Sequence, residues 1–454
     1  MMNTSKSGAY SKLPLCMFFS IIVCSGGTVH AADALSPDSP WMLGDWGGLR
    51  SELQEKGYTF TLGYTGEVAD NLGGGYSSHK TGRYSDQFVL GTTLDLEEIL
   101  SLHDAEFQLT ITDRNGQNLS QAGIGDPRTG TLSSVQEVSG RGQTWRLTQA
   151  WYRQGFFNGQ LDVKVGRLTV GEDFGTFSCR FQNLTFCGSQ SGDWAGDIIY
   201  NWPVSQWGVR VKTRILPDTY LQVAAYEQNP SYLEIGNGFK LSGSGSRGFL
   251  LPVELIQKVQ LGEQNLPGEY RIGVYRSTAS ADDVYRTSDG LPQPLSTVGP
   301  KEHGSKYGGW LVAQQQVYQD ADFNGRGLTL FALATFHDKA TSFIDHYYSV
   351  GAFYSAPFDS RPSDEIGIAA STVHVNSRVH KRQKLSNQVA GNFEYNDPNY
   401  IPPQRLEHNF EVYYGFALTK WLTVRPNIQL VRSPGGVNEV SDAWVAGLKL
   451  DMTL

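Results

Sequence analysis

The strongest constraint in this chain is a strict period-two alternation of apolar and polar residues, cleanest in its last segment. There Trp444, Ala446, Leu448, Leu450, Met452 and Leu454 share one face, and Val445, Gly447, Lys449, Asp451 and Thr453 share the other. Successive side chains of a β-strand point to opposite faces, so such a ribbon is greasy on one side and wet on the other. The pattern recurs over Phe410–Leu418, with Glu411 and Tyr413 opposite, and over Leu422–Leu430, with Arg425, Asn427 and Gln429 opposite. Sixteen such segments are expected, near residues 58–68, 84–97, 105–113, 145–156, 161–168, 206–216, 220–227, 248–260, 269–277, 306–318, 327–337, 346–356, 364–374, 408–418, 421–432 and 443–454.

The connections between these ribbons mostly alternate between short and long. Asn158-Gly159, Pro217-Asp218, Pro357 to Ser363 and Thr419-Lys420 are short, whereas 69–83, 114–144, 169–205, 228–247, 278–305 and 375–407 are long; 338–345 and 433–442 break the rule. An even number of strands with tight turns at one end and long loops at the other is the pattern of an outer-membrane barrel. A soluble sandwich or propeller also alternates, but gives no reason for one end to hold nearly all the long loops. No stretch after the N-terminal apolar run is long and apolar enough for a membrane helix, and the mean hydropathy of −0.33 agrees. A barrel is not excluded by this, because its strands need only every second residue apolar. Trp202, Trp207, Trp421 and Trp444 fall near expected strand ends, where an interfacial girdle would place them.

Lys6 and Lys12, the apolar run Leu13 to Cys24 and the tripeptide Val29-His30-Ala31 read as a secretory signal peptide over residues 1–31, cut after Ala31. The formal charge of the whole chain is −8, and losing two lysines makes the remainder more acidic, which disfavours a nucleic-acid partner. Residues 32–57 form an N-terminal segment with a short periplasmic helix over Ser51 to Lys56: Asp45 is a candidate N-cap, Leu49 and Leu53 share a face, and Gly57 ends it. The barrel occupies 58–454. Removing the leader also removes Cys16 and Cys24, so Cys179 and Cys187 are expected to pair in an oxidising compartment, two free thiols being the alternative.

With apolar faces toward lipid, the opposite faces line a lumen. In 206–216 that face carries Arg210, Lys212 and Arg214, about 7 Å apart along the strand. Arg271, Arg425 and Lys449 hold comparable positions, opposed by Glu254, Glu411 and Asp451. Segment 169–205 gathers Glu172, Asp173, Arg180, Asn183, Asp193 and Trp194 around the two cysteines. A disulfide there would stiffen a constriction folded into the pore, whose aromatic faces and charged rim suit a sugar; the alternative is a loop capping the outside. Enzymatic signals are poor. The G-x-G-x-x-G at Gly243, Gly245 and Gly248 runs into a strand, and the spacing of His337, Asp345 and His346 matches no standard metal or catalytic site. No cofactor or metal is expected.

Gly44-Asp45-Trp46-Gly47-Gly48-Leu49-Arg50, followed by Phe60 to Glu67, resembles the opening signature of the carbohydrate-selective porins of the OprB type. Val165-Gly166-Arg167-Leu168, Phe181-Gln182-Asn183, Phe186-Cys187-Gly188 and Leu266 to Gly273 extend the resemblance over most of the chain after the leader. It implies an all-β, sixteen-stranded antiparallel transmembrane barrel of a Gram-negative outer membrane, narrowed by inward loops, through which glucose and similar sugars diffuse passively. It also implies a basic pore ladder, which Arg210, Lys212 and Arg214 match. Family members usually end in an aromatic residue, whereas this chain ends in Leu454. Sugars and outer-membrane lipid are the expected partners, with self-association left open. A surface receptor or adhesin on a plugged barrel is the alternative, which the long loops 114–144 and 278–305 would serve.

Overall fold

The computed structural model describes residues 33–78, 81–323 and 325–454, so the expected signal peptide at 1–31 lies outside the described residues. Its strands are β1 (Tyr58–Gly75), β2 (Gly82–Asp95), β3 (Ala105–Gly116), β4 (Arg146–Phe156), β5 (Leu161–Leu168), β6 (Gln206–Leu216), β7 (Thr219–Gln228), β8 (Gly248–Leu261), β9 (Leu266–Ser277), β10 (Ala281–Thr287), β11 (Pro300–His303), β12 (Lys306–Gln319), β13 (Gly327–His337), β14 (Ile344–Ser355), β15 (Glu365–Val375), β16 (Leu406–Ala417), β17 (Leu422–Arg432) and β18 (Ser441–Thr453). All but β10 and β11 join in sequence into one closed antiparallel barrel, sealed by β1 against β18. Every expected ribbon is a barrel strand.

The alternation does what it promised. Val350 and Ile368, each 58% exposed, stand on the outer wall, while Glu411 and Lys449 are buried on the inner one. No described helix is long and apolar enough to cross a membrane, so the strands are the spanning elements. The first hairpin departs from expectation: β1 runs on to Gly75, so 69–83 is not one long loop. Two register shifts at Asn71/Gly73 and Gly73/Gly75 let the glycine-rich end keep pairing with β18.

The N-terminal helix forms over Leu49–Glu55, slightly earlier than expected. Asp45 reaches across a turn at Trp46–Gly48 to accept the Ser51 amide at 2.8 Å. Arg50 lies against the rings of Trp41 and Trp46 and donates to the carbonyls of Phe60 and Leu454 at 3.1 and 2.8 Å. The Leu454 amide donates in turn to the Leu62 carbonyl. The opening motif is therefore a clamp on the end of the β1/β18 seam opposite the long loops.

Two external segments expected as loops hold regular structure. Ser377–Ala390 is a helix capped by Asn376 and ended by Gly391 in the left-handed region, and β10 pairs with β11 in a small hairpin within 278–305. Asp283 ties them together: it accepts from the amides of Tyr285 and Arg286, from Arg378 and from His303. Burial pushes its carboxyl up, but these four donors outweigh burial and bring it down to about 2.

Candidate functional site

Loop 169–205 is folded into the barrel. Its aromatics seat on the inner wall: Phe174 meets Tyr226 and Trp310, Phe177 meets Phe331 and Phe353, and Phe181 meets Phe353 and Tyr413 at 5.0–6.3 Å between ring centroids, the Phe177–Phe331 pair at 4.7 Å. Cys179 and Cys187 form the expected disulfide. Wall carboxylates hold the loop backbone, Glu411 accepting the amides of Gln182 and Asn183 at 2.9 and 2.7 Å and Glu254 that of Gly175 at 2.7 Å.

This anchoring corrects three expectations. Asn183 is wholly buried, capping the turn at Leu184–Phe186. Trp194 is 8% exposed and packed on Tyr347, so it offers no open ring face. Glu411 is spent on the loop backbone. These residues hold the loop in place. Trp202 is corrected too: its indole donates to Gln87 on the inner side of β2, away from any lipid interface.

A second loop, 117–145, also lies inside, which the sequence reading did not foresee. Gln136 donates to Ser85 and to the Glu67 carbonyl, the Val138 amide donates to the Glu67 carboxylate, and Glu407 accepts the amides of Leu132 and Ser133. The two loops are bonded to each other through Glu137 N–H to Gln182 O and Leu184 N–H to Ser134 O, both 2.9 Å. Lys449 completes the joint, donating to Glu137 at 2.8 Å and to the Phe181 carbonyl at 3.1 Å. The signal for this in the sequence is a set of acids on wet strand faces: Glu407 and Glu411 have no cation opposite them in the ladder, and Glu67 shares Lys449 with the loops.

On the inner wall the basic residues are interleaved with acids. Arg210 pairs with Asp162 and, at 3.5 Å, with Asp173; Lys164 holds Asp173 at 3.2 Å; Arg153 binds Asp104 and Asp162. Arg271 bridges Glu254 and Glu269 at 3.1 and 2.7 Å. Lys212 lies over the Tyr220 ring, and Arg214 shares its face of β6. Across the lumen Arg425 pairs with Asp451, and Arg180 with Glu365 while covering Phe353. Glu172 accepts from Gln149. Asp162 and Lys164 join this set through their cross-strand pairing with β6, and Arg153 through its pairing with Lys164 on β5, neither of which is visible along the sequence.

Where the two loops approach, some charged groups keep unused capacity. Arg114 commits only its Nε, to Gln87, among the described residues, and the charges of Glu137, Arg141 and Asp193 all act on it. Arg141 donates to the carbonyls of Gly192 and Gly196. Glu137 gives one oxygen to Lys449, and one oxygen of Asp193 has no hydrogen-bond partner among the described residues.

A closed sixteen-stranded barrel with an apolar outer wall, a charged inner wall and two loops folded into its lumen defines an outer-membrane porin. The chain belongs to the carbohydrate-selective porin, OprB family, whose model matches residues 79–454. It is 59% identical over 435 residues to Porin B of Pseudomonas aeruginosa, covering 96% of each chain. Its fold is similar to the high-pH structure of Pseudomonas putida OprB, with a TM-score of 0.91 and 57% identity over 93% of this chain and all of that one. It is therefore a channel of the Gram-negative outer membrane, not an enzyme, and sugars are its permeants.

Proposed function

We propose that small sugars such as glucose cross this barrel by passive diffusion and make their closest contacts where loops 117–145 and 169–205 meet. The observation that carries this reading is the cluster of charged groups with spare hydrogen-bonding capacity at that joint: Arg114, Arg141, Glu137 and Asp193. A guanidinium and a carboxylate together match a sugar diol, which both donates and accepts. Arg180, Arg210, Lys212, Arg214, Arg271 and Arg425, with Glu172 and Asp173, line the remaining path. Their charges are mostly engaged by neighbours, so each exchanges hydrogen bonds with a passing hydroxyl without binding it tightly, and the solute moves on. Asn183, Trp194 and Glu411 contribute by holding the loops. Loop 117–145, lying inside, is not the free surface that an adhesin needs.

Residues 1–31 act as the exported leader and 32–57 as the periplasmic segment, with bilayer lipid around the apolar wall. Swelling of liposomes carrying the purified protein tests the permeation proposal. Glucose is expected to enter faster than an amino acid of similar size, and Arg114→Ala or Arg141→Ala to slow glucose roughly tenfold, the loss of one charged hydrogen bond. Equal entry of both solutes, or unchanged glucose entry in both variants, would overturn it.

A further inference from the structure

At the external end of β14 the ladder with β15 slips. Ile344 pairs with Val375 and His346 with His374, which leaves Asp345 as the extra residue of a β-bulge. A bulge re-aims a side chain that regular alternation would send to the other face. Here it turns Asp345 toward both histidines: its Oδ1 lies 2.7 Å from His346 Nδ1 and 2.5 Å from His374 Nδ1. The imidazoles are direct cross-strand partners with ring centroids 4.3 Å apart and planes 14° from parallel. The Asp345 side chain is 2% exposed and the rings 32% and 24%, so three donors converge from the wall while both rings keep an exposed side. His337, grouped with Asp345 and His346 in the sequence at a spacing that matches no standard site, turns inward, bonded to Tyr275 and Thr335. His374, distant in sequence, takes its place.

We propose that Asp345, His346 and His374 form a binding site for a divalent transition-metal ion of the zinc class at the external rim of the barrel. The donor atoms all lie within 4.8 Å of one another. A tetrahedral ion with bonds of about 2.0–2.1 Å wants its donors about 3.3 Å apart, so the carboxylate need withdraw by less than about 1 Å to admit it, and water fills the fourth position. Two imidazole nitrogens with one carboxylate oxygen select zinc or copper over calcium or magnesium, which require mostly oxygen. The positive charge of exposed Lys339 also reaches His346. That opposes the ion, and the Asp345 carboxylate together with the two ring nitrogens supplies the attraction. Each imidazole that binds through Nδ1 passes the proton it shares there with Asp345 to its own Nε2 by way of solvent, so neutral rings take up the ion with no net proton release.

The test uses the full-length protein without a polyhistidine tag, stripped with chelator in detergent and titrated with zinc chloride by calorimetry in two buffers of different ionisation enthalpy. One zinc per chain is expected, with the same stoichiometry in both buffers, together with a zinc-dependent rise in Tm. His346→Ala and His374→Ala should each weaken uptake by about tenfold or more. Asp345→Asn, which keeps both rings, should also weaken it and serves if a histidine variant fails to fold. His303→Ala in the external hairpin should change nothing, calcium should not compete, and glucose swelling should be unaffected. No stoichiometric uptake by the wild type would overturn the proposal, as would equal uptake by the folded Asp345→Asn or His346→Ala/His374→Ala proteins.

Discussion

Lys449 shows what a single residue does in this barrel. Alternation in β18 places it on the wet face, but it is 1% exposed because Glu137 and the Phe181 carbonyl close over it from two loops. Glu67, 3.7 Å away and fully buried, depends on the same cation. Removing one member of a buried charge cluster leaves the others uncompensated, at about 3–5 kcal/mol. Lys449→Met is expected to destabilise the protein by that amount in urea titrations and to open loop 117–145 to protease; wild-type resistance of that loop would contradict the assignment. The position of Lys449 was legible in the sequence and its partners were not, since they lie 312 and 268 residues away. Arg210 behaves alike: its face was legible, but its neutralisation by Asp162 and Asp173 depends on how β5 and loop 169–205 sit beside it.

At the scale of elements, the strands were legible and the loops only partly so. The helix at Ser377–Ala390 escaped notice because its buried positions, Val379, Gln383 and Asn387, include only one apolar residue, which gives no hydrophobic stripe. The β10–β11 hairpin was hidden by its irregular register. Within loop 169–205 the disulfide closes a ring of about nine residues, for which chain entropy gives about 2–3 kcal/mol. The double variant Cys179→Ser/Cys187→Ser should speed hydrogen exchange over 179–187 while leaving the β-sheet spectrum intact, and unchanged exchange there would show that Glu411 and the aromatics hold the loop unaided. In the external hairpin, the low carboxyl of Asp283 fixes the sign of a pH effect. A carboxyl depressed on folding stabilises above its unfolded value near 4, and the contribution is lost as pH falls toward about 2. Amide exchange in 281–303 should therefore rise over that acid window, and Asp283→Asn should abolish the pH dependence.

For the whole molecule, the two faces of the wall answer to different solvents. Val350→Arg places a charge in lipid at mid-strand and is expected to cost about 2–4 kcal/mol in refolding titrations into bilayers. Lys212→Gln on the inner face should change stability by less than about 1 kcal/mol while altering ion conductance. Equal effects would mean that the faces are misassigned. The sequence alone determined the barrel, its sixteen strands, the inward and outward sets of residues and the end with the long loops. A side-chain period of two against a membrane leaves no other way to satisfy both the backbone and the lipid. Only the tertiary structure decided that two loops fold inside, that Trp194, Asn183 and Glu411 support the path instead of lining it, and that a bulge gathers Asp345, His346 and His374. Those outcomes turn on contacts between residues far apart in the chain, whose register is set when the ladders close and leaves no periodic trace along the sequence.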